Sequence, residues 1–88
     1  MVRVTARHMV GGEQHEHIAS VRWTNPSNGD TGQSTRASMV TFIEDGNRAV
    51  VGEGVQQVEV GVVEASPKYI RTYADKQWTN NLLALPRY

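Results

Sequence analysis

Ser34-Thr35-Arg36-Ala37-Ser38-Met39-Val40-Thr41-Phe42-Ile43-Glu44-Asp45-Gly46 decides the fold class of this chain. Read as a helix, it has a hydroxyl cap in Ser34 or Thr35, and Ala37, Val40 and Ile43 fall on one helical face. Gly46 then stands where a left-handed C-terminal cap is needed. Read as a strand, it offers the β-rich run Met39 to Ile43, followed by Asp45-Gly46, a hairpin turn signal. The caps at both ends favour the helix, and the chain is then α+β rather than all-β.

On the N-terminal side, Val2 to Val10 alternates apolar and polar residues with the period of a half-buried strand. Gly11-Gly12-Glu13-Gln14 reads as a turn, and the alternation resumes from His15 to Thr24. The two runs make a hairpin closed by either a two-residue or a four-residue loop. Val2, Val4, Ala6 and Val10 form one face of the first strand, and Ala19, Val21 and Trp23 share a parity on the second. Asn25 to Gln33 carries turn chemistry at almost every position and reads as a loop.

On the C-terminal side, Arg48 to Val51 is a short strand, and Gly52-Glu53-Gly54 turns it. Val55 to Val63 follows, with Val58, Val60 and Val62 on one face and Glu59 and Gly61 leaving the other largely uncovered. Ser66-Pro67-Lys68 breaks the chain before a last strand, Tyr69 to Ala74. Leu82, Leu83 and Leu85 stand too close to Pro86 for a long helix and read as a plug for an edge or end of the core. The expected fold is one small domain over residues 1–88, in the order β-β-α-β-β-β. It is a small antiparallel sheet of about five strands with one helix packed on a face.

A chain of 88 residues buries only about 60% of its unfolded surface, so its core is thin. There is no cysteine to staple it, which leaves self-association as a common way to add buried area. Nine basic and nine acidic residues cancel, against a general polyanion binder. No apolar run approaches the roughly 20 residues of a spanning helix, so no membrane partner is expected and the expected location is the cytoplasm.

Four segments carry a family resemblance: His15-x-His17-Ile18, Ser34-Thr35-Arg36, Tyr69-Ile70-Arg71-Thr72 and Asn81-Leu82-Leu83-x-Leu85-Pro86. Together they resemble a family of short bacterial and phage proteins known as domain of unknown function 3892, over nearly the whole chain. The family often places Gly after the residue equivalent to Asp75, where this chain has Lys76, so the tight turn there is expected to differ in type. The resemblance implies a compact cytoplasmic domain. It brings no activity, cofactor or catalytic residue.

Three constellations offer chemistry. His8, His15 and His17 fall on one face near the turn end of the first hairpin, in either register. Neighbours across a sheet lie roughly 4.5–5.5 Å apart, within reach of a shared divalent metal. The competing reading is three half-exposed histidines at the rim of the core. Arg3, with Thr5 and Arg7, shares a face with Ser20, Arg22 and Thr24. In the four-residue-loop register Arg3 opposes Arg22, a like-charge pair that an anion or an acidic partner would relieve. In the other register that argument disappears, leaving a solvated sheet face. Tyr69, Arg71 and Tyr73 share a face of the last strand. They suit a core role, a protein-protein hot spot or base stacking, in that order.

Gly29 to Thr35 has the glycines of a phosphate loop but lacks its lysine, and Asp30 would repel the phosphates. Ser, His and acidic residues occur in no spacing that joins nucleophile, base and orienting group. The expectation is a non-enzymatic binding module with no cofactor. It engages a protein partner through a sheet face or edge and forms a homo-oligomer. The alternatives are a small-molecule, nucleotide or nucleic-acid binder using the Arg/Tyr sheet face, and a histidine metal site at the end of the first hairpin.

Overall fold

A computed structural model describes all 88 residues, Met1–Tyr88. Seven strands form one sheet: β1 (Val2–Met9), β2 (Ile18–Thr24), β3 (Thr31–Thr35), β4 (Ala49–Val51), β5 (Val58–Val63), β6 (Tyr69–Ala74) and β7 (Gln77–Thr79). A single α-helix, α1 (Arg36–Glu44), lies between β3 and β4 in the chain. The spatial order is β3-β2-β1-β4-β5-β6-β7, and α1 contacts β2, β3, β5 and β6, so the sheet curls around it. The α+β class stands, with two corrections. The sheet has seven strands rather than about five, and it is mixed, because β1 and β4 pair in parallel through Val2–Ala49 and Arg3–Val50.

The helix forms through its caps. Thr35 Oγ1 accepts the Ser38 amide at 3.2 Å. At the other end Gly46 adopts φ 94°, the Gly46 amide donates to Ile43 O and the Asn47 amide to Phe42 O, a Schellman ending. The inward face differs from the expected one. Met39 and Val40 are buried and Phe42 and Ile43 half-buried, whereas Ala37 is exposed.

One cluster of buried residues joins Val2 and Val4 of β1, Ile18 and Val21 of β2, Met39 and Val40 of α1, Val60 of β5, Ile70 of β6 and Leu82. Leu82 is fully buried, and Leu83 and Leu85 pack against the cluster, which makes this segment the plug its sequence suggests. Beyond it the chain returns to β1. The Arg7 amide donates to Pro86 O at 2.9 Å, and the Tyr88 amide donates to Arg7 O at 3.0 Å. The edge of β1 is therefore shared, with β4 taking its first residues and the tail its later ones.

The first hairpin departs from both expected registers. Arg3 pairs with Thr24, Val4 with Trp23 and His8 with Ser20, with irregularities between Val4 and Ala6 and between His8 and Met9. His15–His17 forms a 3-10 turn instead of the start of β2, so eight residues separate the strands and Val10 is exposed. The Asn25–Gln33 loop also ends early, because Thr31–Thr35 pairs with β2 from Thr24–Thr31 to Ser20–Thr35 without a bulge.

Candidate functional site

The β6–β7 hairpin holds the most exposed aromatic pair. Ala74 pairs with Gln77 across a two-residue turn in which Asp75 (φ 52°) and Lys76 (φ 65°) are both left-handed. Such turns favour glycine at the second position, and Lys76 takes it here at the cost of local strain. A two-residue turn makes Ala74–Gln77 the hydrogen-bonded pair and Tyr73–Trp78 the closer, non-hydrogen-bonded one. The Trp78 amide and carbonyl consequently face the open edge. The two rings meet edge to face at 5.1 Å, with Tyr73 40% and Trp78 42% exposed. Trp78 also leans over Gly61, where an added Cβ would lie 3.3 Å from its ring. The face left uncovered by Glu59 and Gly61 thus gains an indole from β7.

Ile70 and Thr72, on the other face of β6, are fully buried. Thr72 Oγ1 meets Thr79 Oγ1 at 2.6 Å. Arg71 is a strut: its Nε donates to Thr79 O at 3.1 Å and its Nη2 to Asn80 Oδ1 at 3.0 Å. Tyr69 is half-buried beside Glu16, His17, Arg36 and Pro67. Of the expected trio on this strand, only Tyr73 presents its ring broadly outward.

Arg3 and Arg22 do not meet. Arg3 Nε donates to Gly52 O at 3.2 Å, and its guanidinium pairs with Glu53 at 3.2 Å, tying β1 to the turn after β4. Arg22 lies over the Tyr88 ring, 4.1 Å from its centroid, and the Tyr88 hydroxyl meets Ser20 Oγ at 2.8 Å. The like-charge opposition that would have called for an anion belongs to a register the chain does not adopt.

The three histidines also take separate places. His8 Nδ1 hydrogen-bonds the Tyr88 backbone oxygen at 2.7 Å. His17 Nδ1 accepts the Gln14 amide at 3.2 Å, and its ring packs over Gly12. His15 is buried, and its Nε2 has no hydrogen-bond partner. Burial first, and then the nearby Arg71 guanidinium, hold His15 below its ordinary pKa, with Glu16 opposing. No three His, Asp or Glu side chains come together as a group able to hold a metal ion. The shared-face premise of the metal reading fails because His15 and His17 sit in a 3-10 turn, off the strand.

The remaining ion pairs lie at the surface: Arg48 with Glu59, Lys68 with Glu44 and Glu64, and Arg87 with Glu13. The hydrogen bond donated by Arg87 lowers the Glu13 pKa, and donating to Glu59 and to Glu44 raises those of Arg48 and Lys68. At the other end of the sheet Trp23 Nε1 donates to Ser34 Oγ at 3.0 Å, and the indole covers Gly32. A cleft of about 160 Å³ lies among Val2, Trp23, Met39 and Phe42, rimmed by Ser34 and Ser38. It is smaller than the roughly 300–1,000 Å³ usual for small-molecule sites. Residues 31–35, the end of the supposed phosphate loop, are edge strand. Trp78 and Tyr88 carried no signal of their own in the sequence; the Asp75-Lys76 turn, which sets Trp78 opposite Tyr73, was the available clue.

These features define a small α+β domain whose open sheet ends in two edge strands, β3 and β7. The chain matches the family model described as protein of unknown function (DUF3892) over residues 2–86, and it belongs to that family. No curated protein and no solved structure matches it. No helix is long and apolar enough to cross a membrane.

Proposed function

We propose that this chain is a non-enzymatic binding module, working in the cytoplasm, that holds a protein partner against the β6–β7 end of its sheet. The Tyr73–Trp78 pair carries the reading: two aromatic rings in edge-to-face contact, each about two-fifths exposed, beside an edge where Trp78 offers an amide and a carbonyl. Tyrosine and tryptophan are enriched among residues that dominate binding energy, and an exposed strand edge is a template for an extended partner segment. The arginines support the same choice. Arg3 and Arg71 are spent on contacts within the chain, and Arg22 is stacked on Tyr88, which leaves an anionic ligand fewer unoccupied donors.

A photo-crosslinking side chain at position 78, in the cell that makes the protein, tests this. The expected result is one defined protein adduct whose purified partner binds the wild-type chain and binds Trp78→Ala or Tyr73→Ala at least about tenfold more weakly, a loss typical of a hot-spot residue. A partner that binds both variants as tightly as wild type would contradict the proposal. So would a thermal shift with nucleotides or oligonucleotides that Trp78→Ala leaves intact, accompanied by no protein adduct.

A further inference from the structure

The opposite edge, β3, is built differently and points to another partner. Edge strands are commonly guarded by lysine, proline, a bulge or shortness. Thr31-Gly32-Gln33-Ser34-Thr35 has none of these guards: it is five residues long, uncharged and in unbroken register with β2. The Asn25 amide donates to Asp30 O, so the alternation of an antiparallel ladder gives Gly32 and Ser34 the bonds to β2. The amides of Thr31, Gln33 and Thr35 then face outward, with the carbonyls of Thr31 and Gln33.

We propose that the chain forms a two-fold dimer by antiparallel pairing of β3 with β3 of a second copy, centred on Gln33. In that register Gln33 exchanges both backbone bonds with Gln33 of the second copy, and Thr31 opposes Thr35 twice. Thr-Thr pairs across strands are favourable, and no like charges oppose one another. The flanking residues fix the register. Pairing centred on Gln33 sets Asp30 beside Arg36 of the second copy at both ends. Within its own chain the Asp30 carboxylate is exposed and makes no ion pair. Arg36 spends one nitrogen on Glu16 O at 3.0 Å and keeps other donors available. A two-fold register centred on Gly32 also pairs outward-facing residues, but it sets Asp30 opposite Ser34 and loses both ion pairs. The second copy is therefore selected by a self-complementary backbone edge together with complementary charges at its two ends, the hallmark of an isologous contact.

This inference is independent of the β6–β7 binding surface and is tested separately. Sedimentation at about 100 µM chain, where a micromolar contact is nearly saturated, should show a dimer. Gln33→Lys opposes two lysines at the two-fold axis and should weaken the dimer at least about tenfold, with unchanged far-ultraviolet circular dichroism. Asp30→Arg should weaken it about threefold or more, and Asp30→Arg with Arg36→Asp should restore it. Because the chain has no cysteine, Gln33→Cys should oxidise cleanly to a covalent dimer, its Cα atoms lying about 5.5 Å apart in this register. A monomer at that concentration, a dimer indifferent to Gln33→Lys, or a charge swap that fails to restore association would overturn the proposal.

Discussion

Trp23 and Trp78 stand at opposite ends of one sheet, each over a glycine, and the chain holds them in different ways. Trp23 is half-buried and hydrogen-bonded to Ser34, with so little room that a Cβ added to Gly32 would fall 2.4 Å from its ring. Trp78 is 42% exposed, meets Tyr73 edge to face, and leaves 3.3 Å over Gly61. At the β3 end the side chains are locked and the backbone edge is open along five residues. At the β7 end the edge is three residues long, but two aromatic rings are on offer. A locked tryptophan serves the fold; a loosely held one is available to a partner.

The sharpest way to break this contrast is truncation. Trp23→Ala should cost about 3 kcal/mol, as for a large, partly buried core aromatic. Trp78→Ala should cost about 1 kcal/mol, the worth of one aromatic pair at the surface. Urea denaturation of both variants measures this, and equal losses would erase the distinction. The glycines come next. Gly32→Ala should cost about 1–3 kcal/mol, because the Trp23 ring must leave its place. Gly61→Ala should stay within about 0.5 kcal/mol of wild type, as the exposed Trp78 ring gives way.

A third difference is pH. His15 is buried close to Arg71, the residue that ties β6 to β7 and Asn80, so acid should act on that end. Its folded pKa is lowered from 6.5, so the folded chain takes the proton at lower pH than the unfolded chain does. Stability should be full above pH 6.5 and be lost as pH falls from there through the lowered folded value. His15→Gln should flatten this slope relative to wild type in melting curves taken across that range. An unchanged slope would remove His15 from the explanation. The β7 turn should show a modest gain. Lys76→Gly should stabilise the chain by about 0.5–1 kcal/mol, by relieving a left-handed lysine.

The two ends also differ in how far their sequence discloses them. Thr35 and Gly46 announce α1 because capping is local chemistry, and the Tyr69–Ala74 strand announces itself by alternation. β3 does not, because the inward positions of an ordinary strand are apolar and here they are Gly32 and Ser34. Their share of the packing is supplied by Trp23, which covers one and hydrogen-bonds the other. The parallel β1–β4 contact rests on two residue pairs far apart in the chain, beyond any local pattern. The histidines misled for a related reason. The alternation seems to run on from β2 through His15, but Gln14 and His17 cap each other across a 3-10 turn and remove these residues from the strand. Among the candidate site residues, Tyr73 was legible as a strand aromatic beside Arg71 but not as an exposed one, because aromatics on a strand serve cores first. The structural use of Arg3 and Arg71 was not legible, since it rests on backbone carbonyls: Gly52 O in a distant turn for Arg3 and Thr79 O across the β6–β7 hairpin for Arg71.

The most direct test of the division between the two ends is a photo-crosslinking side chain placed at position 33 or at position 78 of the full chain in its producing cell. A self-adduct of twice the chain mass is expected from position 33 and an adduct with a different protein from position 78. Self-adducts from position 78 with none from position 33 would contradict that division.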